Sequence, residues 1–403
     1  MRDEIREVLA AAWGSAIAID TETDAKDIRF NGKCKGLSIA FRHNGYLVKR
    51  FFPISYDGGG NISEDELAGV KLLIENAPEI VFHNAKFDIS SLETVGIYTE
   101  NSKWFCTMVM SSLINENWPK NRSLDSLSKV FLKKPGKVKS EEFKLALMLL
   151  GWDGLHVRHV EEYAEEDAGT TFELGEYIIP RFYAQIPAAV WEYKRKFINV
   201  IRHMEKRGIL INQEYCQTQE EIGRREMENM RAKLRGINPS STLEMEELLL
   251  TEWGLPPMFL NTKLKSKGAK LESEQASAKK AWDKLVDQFG QHQVPPYDPR
   301  FRTSLTFNAE AMHNYKRMML SLNRVPDNFV KEFPDYVLMY KGWEKASSSY
   351  YGAYLRLVNE DGRLRPNYIH HKSDDAGGTV TGRLACKDPN LQQIPREPEA
   401  DEQ

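Results

Sequence analysis

Three short stretches place carboxylates at spacings that align them. In Asp20-Thr21-Glu22, residues two apart on an extended chain share a face, so both acids can address one point beyond the apolar run Ala16–Asp20. Asn84 and Asp88 stand four apart in Asn84-Ala85-Lys86-Phe87-Asp88, the spacing of neighbours on one helical face. Tyr163 and Asp167 repeat that spacing in Tyr163-Ala164-Glu165-Glu166-Asp167. Four carboxylates with a Tyr and an Asn beside them suit two hard divalent cations, because Mg²⁺ and Mn²⁺ prefer carboxylate oxygen and water. Two such cations about 3.5–4 Å apart activate a water and stabilise the leaving oxygen of a phosphodiester. Tyr163 is then placed to orient or deprotonate the attacking water.

Each stretch alone has a plainer reading. Asp-x-Glu at a strand end is a common surface feature, and Asn-x-x-x-Asp is often a cap plus a solvated acid. Tyr-x-x-x-Asp is often a core Tyr with a surface acid. Glu161, Glu162, Glu165 and Glu166 around Asp167 read equally well as a solvated helix face. The order and context of the three stretches together favour the metal site.

The elements that must position these residues are legible. Ala16–Asp20 is a short apolar run with the look of a buried strand. Leu37–Arg42 and Tyr46–Phe52 are two more strands joined by His43-Asn44-Gly45, and Asn-Gly is a strong hairpin signal. Ser63 with Glu66 three residues on predicts a capped helix start. Glu79–His83 is another short strand, and helical patterns follow to about Pro187. Strands first, then strand and helix in alternation, predict an α/β domain with a mixed sheet flanked by helices. From Ala188 to about Leu234 the chain is charged and helical, with one break at Arg207-Gly208 before Ile209-Leu210-Ile211. Lys263–Lys284 carries seven lysines against three acids and reads as an exposed insertion. Helical signals return near Phe307, and a strand-rich stretch begins near Arg363.

Composition sets bounds. A chain of 403 residues is expected to hold two or three domains. Its 41% hydrophobic and 28% charged residues are ordinary for a soluble globular protein. The net charge of −3 does not advertise a nucleic-acid binder, although a local basic groove can sit on a neutral protein. Cys34, Cys106, Cys216 and Cys386 form no CxxC pair, which argues against a structural zinc and for reduced, buried thiols in a cytosol. The N-terminus MRDEIREVLAAAW has mixed charges and reads as an amphipathic helix, not a signal peptide. No apolar run is long enough to span a membrane.

The three stretches resemble, in order, the three exonuclease motifs of the DEDD superfamily: AIAIDTET, FHNAKFD and EYAEEDAGTTFEL. The Tyr in the third marks the DEDDy branch. The resemblance covers roughly residues 12–187 and implies a ribonuclease H-like fold. It implies Asp20, Glu22, Asp88 and Asp167 as ligands of two divalent metal ions, Mg²⁺ or Mn²⁺. Tyr163 becomes the water-orienting residue and Asn84 an auxiliary one. His83, Lys86 and Phe87 are further candidates to hold a single-stranded DNA 3′ end, although Phe87 also reads as core.

A second resemblance lies near the end. Thr381-Gly382-Arg383-Leu384-Ala385-Cys386-Lys387-Asp388-Pro389-Asn390-Leu391-Gln392-Gln393-Ile394-Pro395 is similar to the TGRLSS-x-DPNLQNIP signature that opens the palm of family A DNA polymerases. Met204–Ile209, Ile237–Ser241 and Lys345–Tyr354 resemble segments of that family's thumb. The chain is thus expected to hold an exonuclease domain at 1–187, a mainly helical thumb region with the Lys-rich insertion at 188–350, and an incomplete palm at 351–403. Purine N3 and pyrimidine O2 occupy similar minor-groove places in every correct pair, so a donor there senses pairing without reading sequence. The resemblance gives that part to Arg383, with Asn390 and Gln392 nearby, on a primer–template. Ala385-Cys386 replaces the family's Ser-Ser, which puts hydroxyl contacts to the DNA backbone there in doubt. Gln393 replaces an Asn.

In family A the palm carboxylates and the fingers follow this signature. The resemblance therefore implies that polymerisation needs a second polypeptide carrying palm and fingers, as in a split phage-type polymerase, or that the chain is a truncated product. The expected activity is a proofreading 3′→5′ DNA exonuclease in the cytoplasm of a bacterium or phage-infected host, with no membrane partner. Two alternatives stay open: a non-catalytic DNA-binding or assembly subunit, and a DEDDy RNA-trimming exonuclease.

Overall fold

The apolar run before Asp20 forms β1 (Ile17–Thr23), the central strand of a five-stranded sheet, and a preceding helix α1 (Asp3–Ala12) buries Ile5 and Leu9. Strands β2 (Cys34–His43) and β3 (Tyr46–Pro53) make the expected hairpin. Its turn uses positive φ at both Asn44 and Gly45, as a two-residue primed turn requires. Helix α2 (Glu64–Glu75) starts with the expected capping box: Ser63 accepts the Glu66 N–H, and Glu66 accepts the Ser63 N–H. Strand β4 (Ile80–Phe82) runs parallel to β1 and leads into α3 (Ala85–Glu93). Strand β5 (Trp104–Cys106), in a region where helix is expected from the sequence, adds the far edge and feeds α4 (Thr107–Ile114). Short α5 (Leu124–Leu127), then α6 (Glu141–Leu150), the long α7 (Val157–Tyr183) and α8 (Ala188–Arg207) complete the layer. The sheet order is β3-β2-β1-β4-β5, antiparallel on one side of β1 and parallel on the other. This is the expected mixed α/β architecture.

This computed structural model describes residues 1–24, 26–99, 102–135, 141–151, 154–266, 268–321, 327–373, 377–379 and 381–394. The acidic tail Arg396–Gln403 lies outside them.

Strand alternation sorts the core. Ile17, Ile19, Leu37, Ile39, Ile80 and Phe82 face one way and meet Val70, Ile74, Ile89 and Leu92. Ala18, Ala40 and Val81 face the other way and meet Ala168 and Phe172 of α7. A Cβ added at Gly175 of α7 would sit 2.9 Å from Val81, so small residues let this helix lie close on the sheet.

Contacts divide the chain into Met1–Ile211 with Leu357–Gln403, and Asn212–Arg356. These boundaries differ from the cuts expected near 187 and 350. Trp191, Ile198 and Ile201 of α8 are buried, and the Trp191 indole donates to the carbonyl of Trp104 on β5, so α8 belongs with the sheet. Gly208 ends α8 at φ 64°, and β6 (Ile209–Leu210) follows.

The second unit contains α9 (Gln213–Lys233), α10 (Thr242–Glu246), β7 (Phe259–Lys263), α11 (Ala269–Phe289), β8 (Phe301–Leu305), α12 (Ala309–Ser321), α13 (Asn328–Lys345) and α14 (Gly352–Leu357). Its core gathers Leu234, Met245, Leu249, Met312, Tyr315, Phe333 and Val337. Most of the Lys-rich stretch is α11, where Ala278 is buried and the Trp282 indole donates to the Pro295 carbonyl. In the first unit, β9 (Arg363–Leu364) pairs with β6, and β10 (Asn367–Ile369) pairs with β11 (Ala385–Lys387). All four cysteines are free and buried. No helix among the described residues is long and apolar enough to cross a membrane.

Candidate active site

Strand β1 outruns its parallel neighbour. Ile17, Ala18 and Ile19 pair with Ile80, Val81 and Phe82, and β4 then stops, while β1 continues through Thr23 beside β2. Asp20, Thr21 and Glu22 thus project past a notch at the carboxyl ends of two parallel strands, the usual place for a site in such sheets. Helix α3 fills the notch. The Thr21 N–H and hydroxyl both donate to Asp88 Oδ1, at 3.2 and 2.9 Å. Asp88 is 2% exposed, and its Oδ2 has no hydrogen-bond partner among the described residues.

Asp20 and Glu22 share the face of Ala18, which packs on α7. Asp167 and Tyr163 lie on α7 about one and a half and two and a half turns before Phe172. The helix is held in rotation by its acids: Glu165 accepts the Phe51 N–H at 3.0 Å, and Glu166 takes Lys49 at 2.7 Å and Lys134 at 3.1 Å. Two of the acids that read as a merely solvated face therefore anchor α7. Phe143 of α6 stacks on the Tyr163 ring, with centroids 5.4 Å apart and planes at 28°.

Asp20, Glu22, Asn84, Asp88, Tyr163 and Asp167 all line one cavity of about 850 Å³. Asn84 differs from expectation in one respect. It sits at the N-cap of α3 in the left-handed region, φ 73° and ψ 49°, instead of on the helical face. The chain turns from β4 into α3 within two residues, and Asn tolerates the required conformation. Burial first, then the charges of Asp20 and Glu22, push the Asp88 carboxyl well above the usual carboxylate range. Burial, Glu22 and Asp20 likewise push the Tyr163 phenol up. Negative potential thus converges on Asp88 and Tyr163. An oxygen-only donor set with an unpartnered buried oxygen on Asp88 fits a hard divalent cation. Among the described residues no three His, Cys, Asp or Glu side chains stand close enough to cage a metal as they are.

His83, Lys86 and Phe87 also line the cavity, and two of them are held by hydrogen bonds. Both His83 ring nitrogens are engaged, Nδ1 with the Thr107 hydroxyl at 2.8 Å and Nε2 with the Arg122 carbonyl at 3.1 Å. Lys86 is spent on Glu205, at 2.6 Å. Phe87 lines the cavity and is half-buried. Glu205 and Asn367–His371, which no motif in the sequence signals, also line the cavity. His370 there is 4% exposed, and burial followed by His371, Lys194 and Lys86 holds its imidazole well below the usual range. No local spacing could have signalled residues so distant in sequence. Arg383, Asn390 and Gln392 are exposed and stand outside the cavity lining. Gln392 donates its N–H to Asn390 Oδ1 at 3.0 Å and its amide to the Leu384 carbonyl at 3.2 Å.

Two separate regions of the chain match known families. Residues 1–181 match the family model described as 3′-5′ exonuclease, and residues 304–403 match DNA polymerase family A. DNA polymerase I of Borreliella burgdorferi is 26% identical over 402 residues, covering 98% of this chain and 36% of that protein. DNA polymerase DpoZ of Acinetobacter phage SH-Ab 15497 is 26% identical over 336 residues, covering 79% of this chain and 47% of that protein. The chain therefore spans between about a third and a half of these curated relatives. Among solved structures, the POL domain of Pol1 from M. smegmatis, in complex with DNA primer-template and dNTP, superposes with a TM-score of 0.64 at 14% identity, covering 99% of this chain and 56% of that one. The chain thus carries a region that matches the 3′-5′ exonuclease family, followed by a region that matches DNA polymerase family A.

Proposed function

We propose that the first unit is a metal-dependent 3′→5′ DNA exonuclease that removes nucleotides from a single-stranded 3′ end, as in proofreading during replication. The observation that carries this is the gathering of Asp20, Glu22, Asp88, Tyr163 and Asp167 from three separate elements around one cavity. Two Mg²⁺ or Mn²⁺ ions held by Asp20, Glu22, Asp88 and Asp167 would supply an activated water and charge neutralisation at the scissile phosphate. Tyr163, braced by Phe143, orients the water. Asn84 supports the site from the α3 cap. A 3′ end must be frayed to enter, so single strands are preferred. Arg383, Asn390 and Gln392 contact the primer–template, and primer extension requires the family's remaining palm and fingers, in the same or a second polypeptide.

The test is a 3′-mismatched primer–template incubated with the purified chain and Mg²⁺, alongside single-stranded DNA and RNA of the same sequence. Stepwise 3′ shortening of DNA, lost in Asp20→Ala/Glu22→Ala, is the expected result. Cleavage that persists in the double variant overturns the site assignment. Faster loss of RNA than DNA overturns the substrate.

A further inference from the structure

Helix α3, which carries Asp88, is fastened to α8 at both ends by ion pairs of opposite polarity. Near its C-terminus Glu93 takes Arg202 at 2.5 Å and Lys206 at 2.9 Å. At its N-terminus the Lys86 ammonium donates to Glu205 Oε1 at 2.6 Å, to Asn367 Oδ1 at 2.9 Å and to the Tyr368 carbonyl at 2.9 Å. An ammonium has three protons, so these partners fill its capacity. The same Glu205 oxygen accepts the Tyr368 N–H at 2.6 Å. Glu205 is 3% exposed, so the knot is largely desolvated, and removing one charge would strand the other.

The knot joins α3, α8 and β10 two residues from Asp88. The surrounding segment is pinned twice more: Lys194 donates to the His370 carbonyl at 2.7 Å, and the Arg122 N–H donates to the Ser373 hydroxyl at 3.2 Å. Residues matched to the exonuclease family end at 181, yet Glu205 and Asn367–His371 wall the cavity.

We infer that the Lys86–Glu205–Asn367–Tyr368 knot is the device that holds Asp88 against Thr21, so that Asn367–His371 is a working part of the nuclease and Lys86 is a positioning residue with no phosphate contact. The inference rests on the nuclease reading above. Loss of a supporting partner behind a metal ligand typically costs ~10–100-fold in metal affinity or activity.

The experiment uses the full chain as Lys86→Met, Asn367→Ala and Lys86→Met/Glu205→Gln, the last removing both charges together. Three quantities are measured: Mn²⁺ binding by calorimetry, kcat and KM on single-stranded DNA, and the salt dependence of DNA binding. Expected are roughly tenfold or larger losses in kcat and in Mn²⁺ affinity, with KM and the salt slope unchanged. Asn367→Ala, the mildest change, carries the test if Lys86→Met does not fold. A salt slope lowered by about one in Lys86→Met, with Mn²⁺ binding intact, makes Lys86 a phosphate contact and overturns the inference. A lower melting temperature with all three quantities unchanged overturns it too. A wild-type chain that neither binds Mn²⁺ nor cleaves DNA overturns the nuclease reading itself, a result distinct from either.

Discussion

Thr21 donates both its backbone N–H and its hydroxyl to the same oxygen of Asp88. The N–H is available because β4 has ended, and the hydroxyl adds a second bond to a buried acid. Thr21→Val keeps the shape and the N–H and removes the hydroxyl. It should cost roughly 1–2 kcal/mol in urea unfolding and ~10-fold in nuclease rate. Thr21→Ser should retain most of the rate. Equal rates for Val and wild type would show that the hydroxyl does not position Asp88.

Tyr163→Phe keeps the stack on Phe143 and deletes only the phenol. Single-turnover cleavage should fall on the order of 10²-fold with the melting temperature unchanged. Phe143→Ala should also slow cleavage, because the ring loses its brace, and should cost roughly 3–5 kcal/mol as a cavity opens. An unimpaired Tyr163→Phe enzyme would remove the phenol from the mechanism.

Burial pulls the Lys194 amine down to about 8. Its unfolded value is about 10.4. Between those values the unfolded chain binds more protons, so stability rises with pH across that window. The penalty is present in full below the folded value and is relieved as pH passes the unfolded one. Lys194→Met lacks this penalty, so its stability relative to wild type should decline as pH rises through the window. Denaturant melts of both proteins at pH near 7 and near 10 check the sign; a constant difference refutes it.

Gly208 adopts φ 64°, and an added Cβ would meet the Leu364 carbonyl oxygen at 2.7 Å. Gly208→Ala should destabilise by more than about 1 kcal/mol, measured by urea unfolding. Little change would mean that the β6–β9 pairing yields easily.

Arg383 is exposed and stands apart from the cavity. Arg383→Ala should weaken primer–template binding in fluorescence anisotropy and leave cleavage of single strands within about twofold, since separated sites act independently. Equal losses in both assays would tie Arg383 to the nuclease.

The sequence showed the site's parts better than their assembly. β1, the Asn44-Gly45 hairpin and the Ser63/Glu66 cap follow local rules, and local rules are what residue spacing reports. Trp104–Cys106 escaped notice because three apolar residues between helices look like helix. Asn84 was placed on a helical face because its αL turn is set by the β4-to-α3 geometry, which spacing does not carry. Glu205 and Asn367–His371 were invisible for a stronger reason: they reach the cavity through the tertiary fold alone. The Lys-rich stretch looked solvated by charge count, yet Ala278 and Trp282 gave α11 a side to pack.

Ile209 and Leu210 pair with Leu364 and Arg363, and the Ile211 N–H reaches the Gly362 carbonyl. The chain therefore leaves the sheet-bearing unit and rejoins it through hydrogen-bonded neighbours. Asn212–Arg356, a separate unit by its contacts, is thus a cassette flanked by residues already joined by hydrogen bonds. Extending a closed cassette adds no loop that the sheet must draw shut, and the entropy of any longer span grows only slowly with its length. Such a root is expected to tolerate changes in length between Asn212 and Arg356. Exchanging this segment is therefore expected to leave the register of Asp20, Glu22, Asp88 and Asp167 unchanged.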